Sequence, residues 1–148
     1  MHALLLVIGS GCGLFAPLES EGDDTEFYSE KQSVVLAAAE DLLARKGYVF
    51  EETELDYGML VGSQVERVRQ RRTRDAFPRD TLVRTQVVLE VSPRGAGTDL
   101  RATFSIEVER PTGERRSWPP ETSPAKRLRR SFYSELRQEL DGSLASSL

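Results

Sequence analysis

The sequence predicts an α+β fold, a two-layer sandwich in which two helices cover one face of a four-stranded antiparallel sheet. Three observations predict it. Apolar residues recur at spacings of three and four in one segment near each end of the chain. Between these segments, two long stretches alternate apolar and polar residues with a period of two. Turn residues separate the segments, which gives the element order α-β-β-β-β-α.

The predicted first helix occupies the segment after Ser29, which has Gln32 three residues later at the spacing of a capping box. An apolar stripe follows, and Gly47 ends the helix. The stripe consists of Val35, Ala38, Ala39, Leu42 and Leu43. Residues 48–68 then read as a hairpin with its turn at 55–58.

The alternation is clearest in the next two predicted strands, 81–91 and 100–108, which are joined by a turn at 92–97. Residues 111–121 are predicted to form a polar loop. Ser123 is expected to cap the last helix, with Pro124 at its first position. The stripe of that helix repeats every four residues and consists of Leu128, Phe132, Leu136, Leu140 and Leu144.

Bulk composition limits the functions that the chain can have. Its 148 residues suit one domain with an appendage, and 39% hydrophobic residues suit an ordinary core. A net charge of −4 argues against nucleic acid as a partner. The one histidine, His2, and the one cysteine, Cys12, both precede residue 13. We therefore expect no His- or Cys-based catalysis, no metal and no cofactor in the domain, and no enzyme.

The first twelve residues have the pattern of an export signal. The apolar run 3–8 is too short to span a bilayer, and the small residues 9–11 precede Cys12. This segment resembles the lipobox of bacterial lipoproteins, in which the cysteine is acylated after cleavage. No basic residue precedes Cys12, and Gly9 stands where leucine is usual. The alternative is a buried N-terminal strand or helix with an inert cysteine.

The predicted organisation is a signal at 1–12, a flexible linker at 13–26 and a single α+β domain at 27–148. Gly13, rather than aspartate, follows the cysteine. By resemblance to lipoprotein sorting, this favours a lipid anchor at the periplasmic face of the bacterial outer membrane.

Residues 34–76 carry a second resemblance, to a family of uncharacterised bacterial lipoproteins of proteobacterial type with a small α+β domain. The charged motif Arg74-Asp75-Ala76 follows the matching strand, whereas Gln64 replaces the lysine of the family. The resemblance implies location and fold, and it supplies no catalytic residues. The matching positions are Leu43, Gly47, Tyr48, Phe50, Glu51, Glu52, Gly58, Leu60, Gly62 and Ser63.

The candidate contact residues are a cluster of arginines at the end of the hairpin and Trp118. Arginines near an anionic surface contribute about 1 kcal/mol each, so this cluster suits lipid headgroups or an acidic partner. The alternative is a solvated loop paired with carboxylates. Trp118 is either an exposed anchor for a partner or part of the core rim. The arginines are Arg67, Arg69, Arg71, Arg72 and Arg74, with a second cluster at Arg127, Arg129 and Arg130.

Two pairs of glutamates, Glu51/Glu52 and Glu107/Glu109, have the composition of a glycosidase site, but strand glutamates usually form a wet face. We therefore predict a lipid-anchored, non-catalytic binding or accessory module with a possible envelope protein as partner. The alternative function is a carrier of a lipid or another apolar ligand in a cleft between helices and sheet.

Overall fold

The computed structural model describes residues 24–51, 58–69 and 80–146. Cys12, Glu52, most of the predicted linker and the arginines at 71, 72 and 74 lie outside the described residues. The elements in chain order are β1 (Thr25–Tyr28), α1 (Gln32–Arg45), β2 (Val49–Phe50), β3 (Met59–Arg69), β4 (Asp80–Arg94), β5 (Gly97–Glu109), β6 (Arg115–Trp118) and α2 (Ser123–Ser146).

The α+β class, the antiparallel sheet and the two helices are confirmed, but the predicted strand count is wrong. The sheet has six strands in the order β1-β5-β4-β3-β2, with β6 also pairing with β5. A strand precedes α1, and another lies within the predicted loop 111–121. Both extra strands pair with the same edge of β5, β1 along 98–101 and β6 along 106–109. The edge strand that a four-stranded sheet would expose is therefore largely covered.

One face of the sheet packs against both helices. The alternation predicted for the long strands places Val87 and Leu89 of β4 and Leu100 and Phe104 of β5 in the core. From α2, the Phe132 ring meets the Phe104 ring edge-on, with centroids 5.8 Å apart. Each fully buried side chain of this size contributes roughly 1.5–3 kcal/mol. From the helices, Val35, Ala39, Leu42, Leu43, Leu136 and Leu140 join this core.

The helix ends differ in part from the sequence prediction. Gly47 follows α1 with a φ of 88°, so it ends the helix as predicted. The predicted capping box at Ser29 is wrong, because Lys31 is the N-cap and makes no side-chain capping bond. In α2, Ser123 is the first helical residue, and the Lys126 N–H donates to the Thr122 carbonyl at 2.9 Å. Ser123 therefore lies inside the helix rather than at its cap, one residue away from the position that the sequence predicted.

Three α2 side chains, spaced four residues apart, hold β1 on the sheet. Arg129 pairs with Asp24 at 2.7 Å, and Arg137 pairs with Glu26. Between them, the Tyr133 hydroxyl accepts the Ala102 N–H at 2.8 Å and donates to the Asp24 carbonyl. Tyr133 thereby hydrogen-bonds the β5 backbone in the gap between the residues that pair with β1 and the residues that pair with β6. We call these three residues the β1 clamp.

The β4–β5 turn brings backbone close to backbone. Gly95 has a φ of 60°, as a two-residue hairpin turn requires. Gly97 lies under β1, where a Cβ would stand 2.6 Å from Cζ of Phe27. A side chain at this position would clash with the Tyr28 carbonyl and the Phe27 ring, so β1 would have to shift.

Neither α1 nor the described part of α2 is both long and apolar enough to cross a membrane.

Candidate functional site

The helices leave the other face of the sheet uncovered. It carries the odd-numbered residues of β3, with their register partners on β4 and β5. We call this the open face. Polar and charged residues dominate it, as the alternation predicted, but several apolar side chains interrupt them. Val49 is 71% exposed, Val65 is 60% exposed, and Met59 is 37% exposed.

A concavity of about 480 Å³ lies at the end of the open face near the β4–β5 turn. Its volume falls within the usual range for ligand pockets, roughly 300–1,000 Å³. Phe27 of β1 stands on one side and Met59 of β3 on the other, with β5 and β4 between them as the floor. We call it the open-face concavity. Its charged lining residues are Glu90, Arg94, Asp99 and Arg101.

The charges of the open-face concavity balance in two pairs. Arg94 Nη1 lies 3.4 Å from Asp99 Oδ1, and Arg101 Nη1 lies 3.9 Å from Glu90 Oε2. The Arg94 guanidinium also stands over the Phe27 ring at 5.6 Å from its centroid. Such exposed pairs contribute little to stability, at most about 1 kcal/mol each. They do present donors and acceptors to a bound group between two apolar walls.

Of the sequence-predicted arginine cluster, the structure describes Arg67 and Arg69, and both lie outside this concavity. Arg67 and Arg69 lie on the open face at the far end of β3, both exposed. Arg69 Nε is 3.7 Å from Asp80 Oδ1, which is the pairing that a solvated cluster would show. The proposed contact role of the cluster stays a prediction.

Trp118 lies on the opposite face. It pairs with Ile106, whose side chain belongs to the helix-covered side, and it is partly buried there. Of the second arginine cluster, Arg127 and Arg130 are exposed on α2. Arg129 is only 14% exposed because it bonds Asp24 in the β1 clamp.

Glu51 and Glu107 have ordinary surface environments, whereas Glu109 Oε2 is a buried atom without a hydrogen-bond partner among the described residues. Glu51 is exposed, and Glu107 lies on the open face of β5. Glu109 Oε2 lies 3.8 Å from Arg84 Nη2 and 3.5 Å from Arg115 Nε. Residues 24–51, 58–69 and 80–146 contain no group of three or more acidic, His or Cys side chains placed to hold a metal ion.

The largest pKa shifts among the described residues belong to three buried tyrosines that support the fold, and burial raises the pKa of Tyr28 the most. Burial raises the pKa of Tyr48 to about 12, against a smaller lowering effect from its hydrogen bond with Thr85. Burial likewise raises the pKa of Tyr133 to about 12, and its hydrogen bond with Ala102 opposes the shift. A hydrogen bond from Lys46 lowers the pKa of Glu135, which joins α2 to the end of α1. These groups lie away from the open-face concavity.

Sequence reasoning missed the open-face concavity because its walls come from irregular positions. Phe27 belongs to a four-residue strand that the sequence prediction lacks. Met59 is an apolar residue on the exposed side of its strand, next to the buried Leu60. An apolar side chain on the polar phase of a strand was the available signal. The spacing of residues along the sequence does not show that β1 and β3 lie on either side of the β5–β4 pair.

Comparison with solved structures finds several matches, among them a protein of bacterial origin. A DUF4468 family protein from Bacteroides ovatus ATCC 8483 matches with a TM-score of 0.40 and 14% sequence identity. The match covers 66% of this chain and 63% of that protein, which is less than two thirds of its length. No protein-family model matches the sequence, and no curated protein matches it.

Proposed function

We propose that this protein is a lipid-anchored module of the bacterial cell envelope that binds a protein partner through the open-face concavity. The observation that carries the proposal is a pocket-sized depression with two apolar walls on a face that neither helix covers. The partner inserts an apolar side chain between Phe27 and Met59. Its backbone or polar groups exchange hydrogen bonds with the floor.

The charge of the open-face concavity favours a polypeptide of mixed composition. Two basic and two acidic side chains form its floor as two ion pairs, Arg94–Asp99 and Arg101–Glu90. A strongly charged partner would meet as much repulsion as attraction there. An apolar side chain flanked by amide groups uses both the walls and the paired charges.

The location rests on Cys12 and on the residues that follow it. The small residues before Cys12 and the short apolar run support acylation, and Gly13 supports sorting to the periplasmic face of the outer membrane. Residues 34–76 add their resemblance to bacterial lipoproteins. Several acyl chains anchor firmly, since each buried methylene contributes about 0.8 kcal/mol.

The alternative, an apolar-ligand carrier, would use the space between helices and sheet. Leu43, Leu89, Leu100 and Leu136 are each less than 2% exposed and fill that space in the described core. This packing supports a surface-binding role over storage in the interior. Organic extraction of purified protein tests it, since a carrier retains a stoichiometric lipid.

Site-specific crosslinking in cells tests the binding site. A photo-reactive amino acid at Met59 is expected to capture a discrete envelope protein, while the same probe at Val65 is not. Val65 is the matched control because it lies on the same strand and face but outside the concavity. Addition of Met59→Gln to a chain carrying the probe at Phe27 should weaken the adduct. Equal adducts from positions 59 and 65, or none from 59, would contradict the proposal.

Acylation is tested separately with labelled palmitate. The wild-type chain is expected to incorporate label and to fractionate with the outer membrane. A Cys12→Ser chain should incorporate none. Label retained in that variant would refute the anchor while leaving the proposed binding site untouched.

A further inference from the structure

We propose that the first turns of α2 and the adjoining strand β6 form a membrane-facing surface that contacts anionic lipid headgroups. This membrane-facing patch consists of Arg116, Trp118, Lys126, Arg127 and Arg130. The inference rests on the proposed lipid anchor, because it states how the anchored domain is oriented. It leaves the open face directed away from the patch.

The proposed anchor segment joins the domain at Asp24. The β1 clamp fixes Asp24 through Arg129 and the Tyr133 hydroxyl. Because Thr25 pairs with Arg101 and β6 pairs with β5 only from Ile106 onward, Asp24, the first described residue, lies at the gap between β1 and β6. Arg129 lies one residue from Arg130 and three from Lys126. The point at which the preceding segment is attached, Asp24, is therefore beside the patch.

The patch is positively charged. Arg116, Arg127 and Arg130 are exposed and Lys126 is partly exposed. Within the described part of the chain, no carboxylate pairs with any of the four. By contrast, Arg45 and Lys46 on α1 and Arg137 on α2 all pair with acidic residues. The patch is thus a concentration of uncompensated positive charge on a chain whose net charge is −4.

Lys126, in the first turn of α2, is unfavourable for the helix itself. Helix N-terminal turns favour acidic residues, since the backbone dipole is positive there, and a basic residue in the first turn is expected to reduce stability. The first turn of α2 contains no acidic residue, and basic residues begin at Lys126. A local departure of this kind is expected at functional surfaces.

Trp118 adds an amphipathic ring to the patch. It ends β6, and only residues 119–122 separate it from the start of α2. It is partly buried beside Ile106. Tryptophan is enriched at the interface between lipid and water, where one end of the ring is apolar and the other is wet.

The length of the tether keeps the patch in reach of the bilayer. Residues 13–23 span at most about 40 Å when extended. As a flexible coil they span about 20 Å on average. A weak electrostatic contact then acts at high effective concentration, so a few cations suffice to orient the domain.

Vesicle binding tests the patch without the anchor. The full chain carrying Cys12→Ser is incubated with vesicles of phosphatidylglycerol and phosphatidylcholine, and separately with phosphatidylcholine alone. Bound protein is measured by sedimentation. Because Trp118 is the one tryptophan of the chain, its emission reports directly on the patch. We expect anionic vesicles to shift this emission to the blue and to protect it from acrylamide quenching.

The discriminating comparison uses two double charge reversals. Arg127→Glu with Arg130→Glu alters the patch, and Arg67→Glu with Arg69→Glu alters the same number of arginines on β3. Each cation near an anionic surface raises partitioning about fivefold, so the patch variant should bind at least about 30-fold more weakly. If the patch, rather than the Arg67 and Arg69 cluster of the sequence prediction, contacts lipid, the β3 variant should stay within about twofold. Circular dichroism melting confirms that both variants fold.

Three outcomes would overturn the proposal: equal loss in both variants, equal binding to neutral and anionic vesicles, or no binding at all. The last would arise if the acidic tether residues Glu19, Glu21 and Asp23 occupied the patch in place of lipid. None of these results bears on palmitate labelling of Cys12. Failure of the patch and failure of the anchor are therefore distinguishable.

Discussion

Removal of the Tyr133 hydroxyl should destabilise the protein far more than removal of the Tyr28 hydroxyl. Both rings are buried, at 8% and 3% exposed. The Tyr133 hydroxyl accepts the Ala102 N–H at 2.8 Å and lies within donating distance of two backbone carbonyls. In Tyr133→Phe, the Ala102 N–H loses its partner on an edge where neither β1 nor β6 reaches it. Among the described residues, the Tyr28 hydroxyl has no hydrogen-bond partner.

The magnitudes follow from these contacts. An orphaned buried donor costs about 1–3 kcal/mol, and the lost bonds bring the expected destabilisation of Tyr133→Phe to about 2–3 kcal/mol. For a chain of this size, that lowers the melting temperature by about 5–10 °C. Tyr28→Phe should change the free energy of unfolding by less than about 0.5 kcal/mol.

Urea unfolding, followed by circular dichroism and by Trp118 emission, measures both variants, and hydrogen exchange reports on the Ala102 amide. We expect Tyr133→Phe to lower the unfolding midpoint and to speed exchange of that amide, whereas Tyr28→Phe should do neither. Equal losses of stability in the two variants would refute the assigned role of the hydroxyl. Unchanged exchange at Ala102 would refute it independently.

Three further predictions concern glycines and pH. Gly97→Ala should destabilise the protein by about 3 kcal/mol or more in chemical unfolding, because its Cβ would press on the backbone and an aromatic ring of β1. Gly142→Ala, in α2 with open space around it, should instead raise the free energy of unfolding by about 0.5–1 kcal/mol. Burial raises the pKa of Tyr48 and Tyr133 to about 12, from a value near 10 in unfolded chains, so their contribution is complete below about pH 10 and is lost as pH rises toward 12. Tyrosinate absorbance should therefore appear together with loss of the circular dichroism signal, and early ionisation of these side chains in a folded protein would contradict the burial argument.

The regular parts of the fold were predictable because their signals are local and repeated. The α1 stripe from Val35 to Leu43 and the alternation through Val87 and Leu100 each recur over several turns or residue pairs. Gly47 marks the end of α1 by a backbone requirement that few other residues meet. These features needed no knowledge of distant contacts.

The missing strands depend on contacts that spacing does not reveal. β1 has only four residues, and side chains more than a hundred residues away, such as Tyr133 and Arg137, clamp it to the sheet. β6 is equally short, and its polar residues 115–117 precede a single Trp118. The open-face concavity could not be predicted from the sequence for the same reason, because one of its walls is Phe27 of β1. Its other wall, Met59, differs from the sequence pattern only as an apolar residue at a position of the strand that the alternation assigns to polar residues.

The two proposed surfaces fit together in one orientation. Trp118 pairs with Ile106 on the helix-covered side of the sheet, whereas Met59 and Phe27 lie on the open face. The sheet itself separates them, and β5 runs from the concavity at its first residues to β6 at its last. Because β1 contributes Phe27 to the concavity and its clamp fixes Asp24 beside the patch, one four-residue strand links the tether to the binding surface. In the proposed orientation, the α2 side of the domain would face the membrane, and the concavity would face away from it and stay accessible to a protein partner.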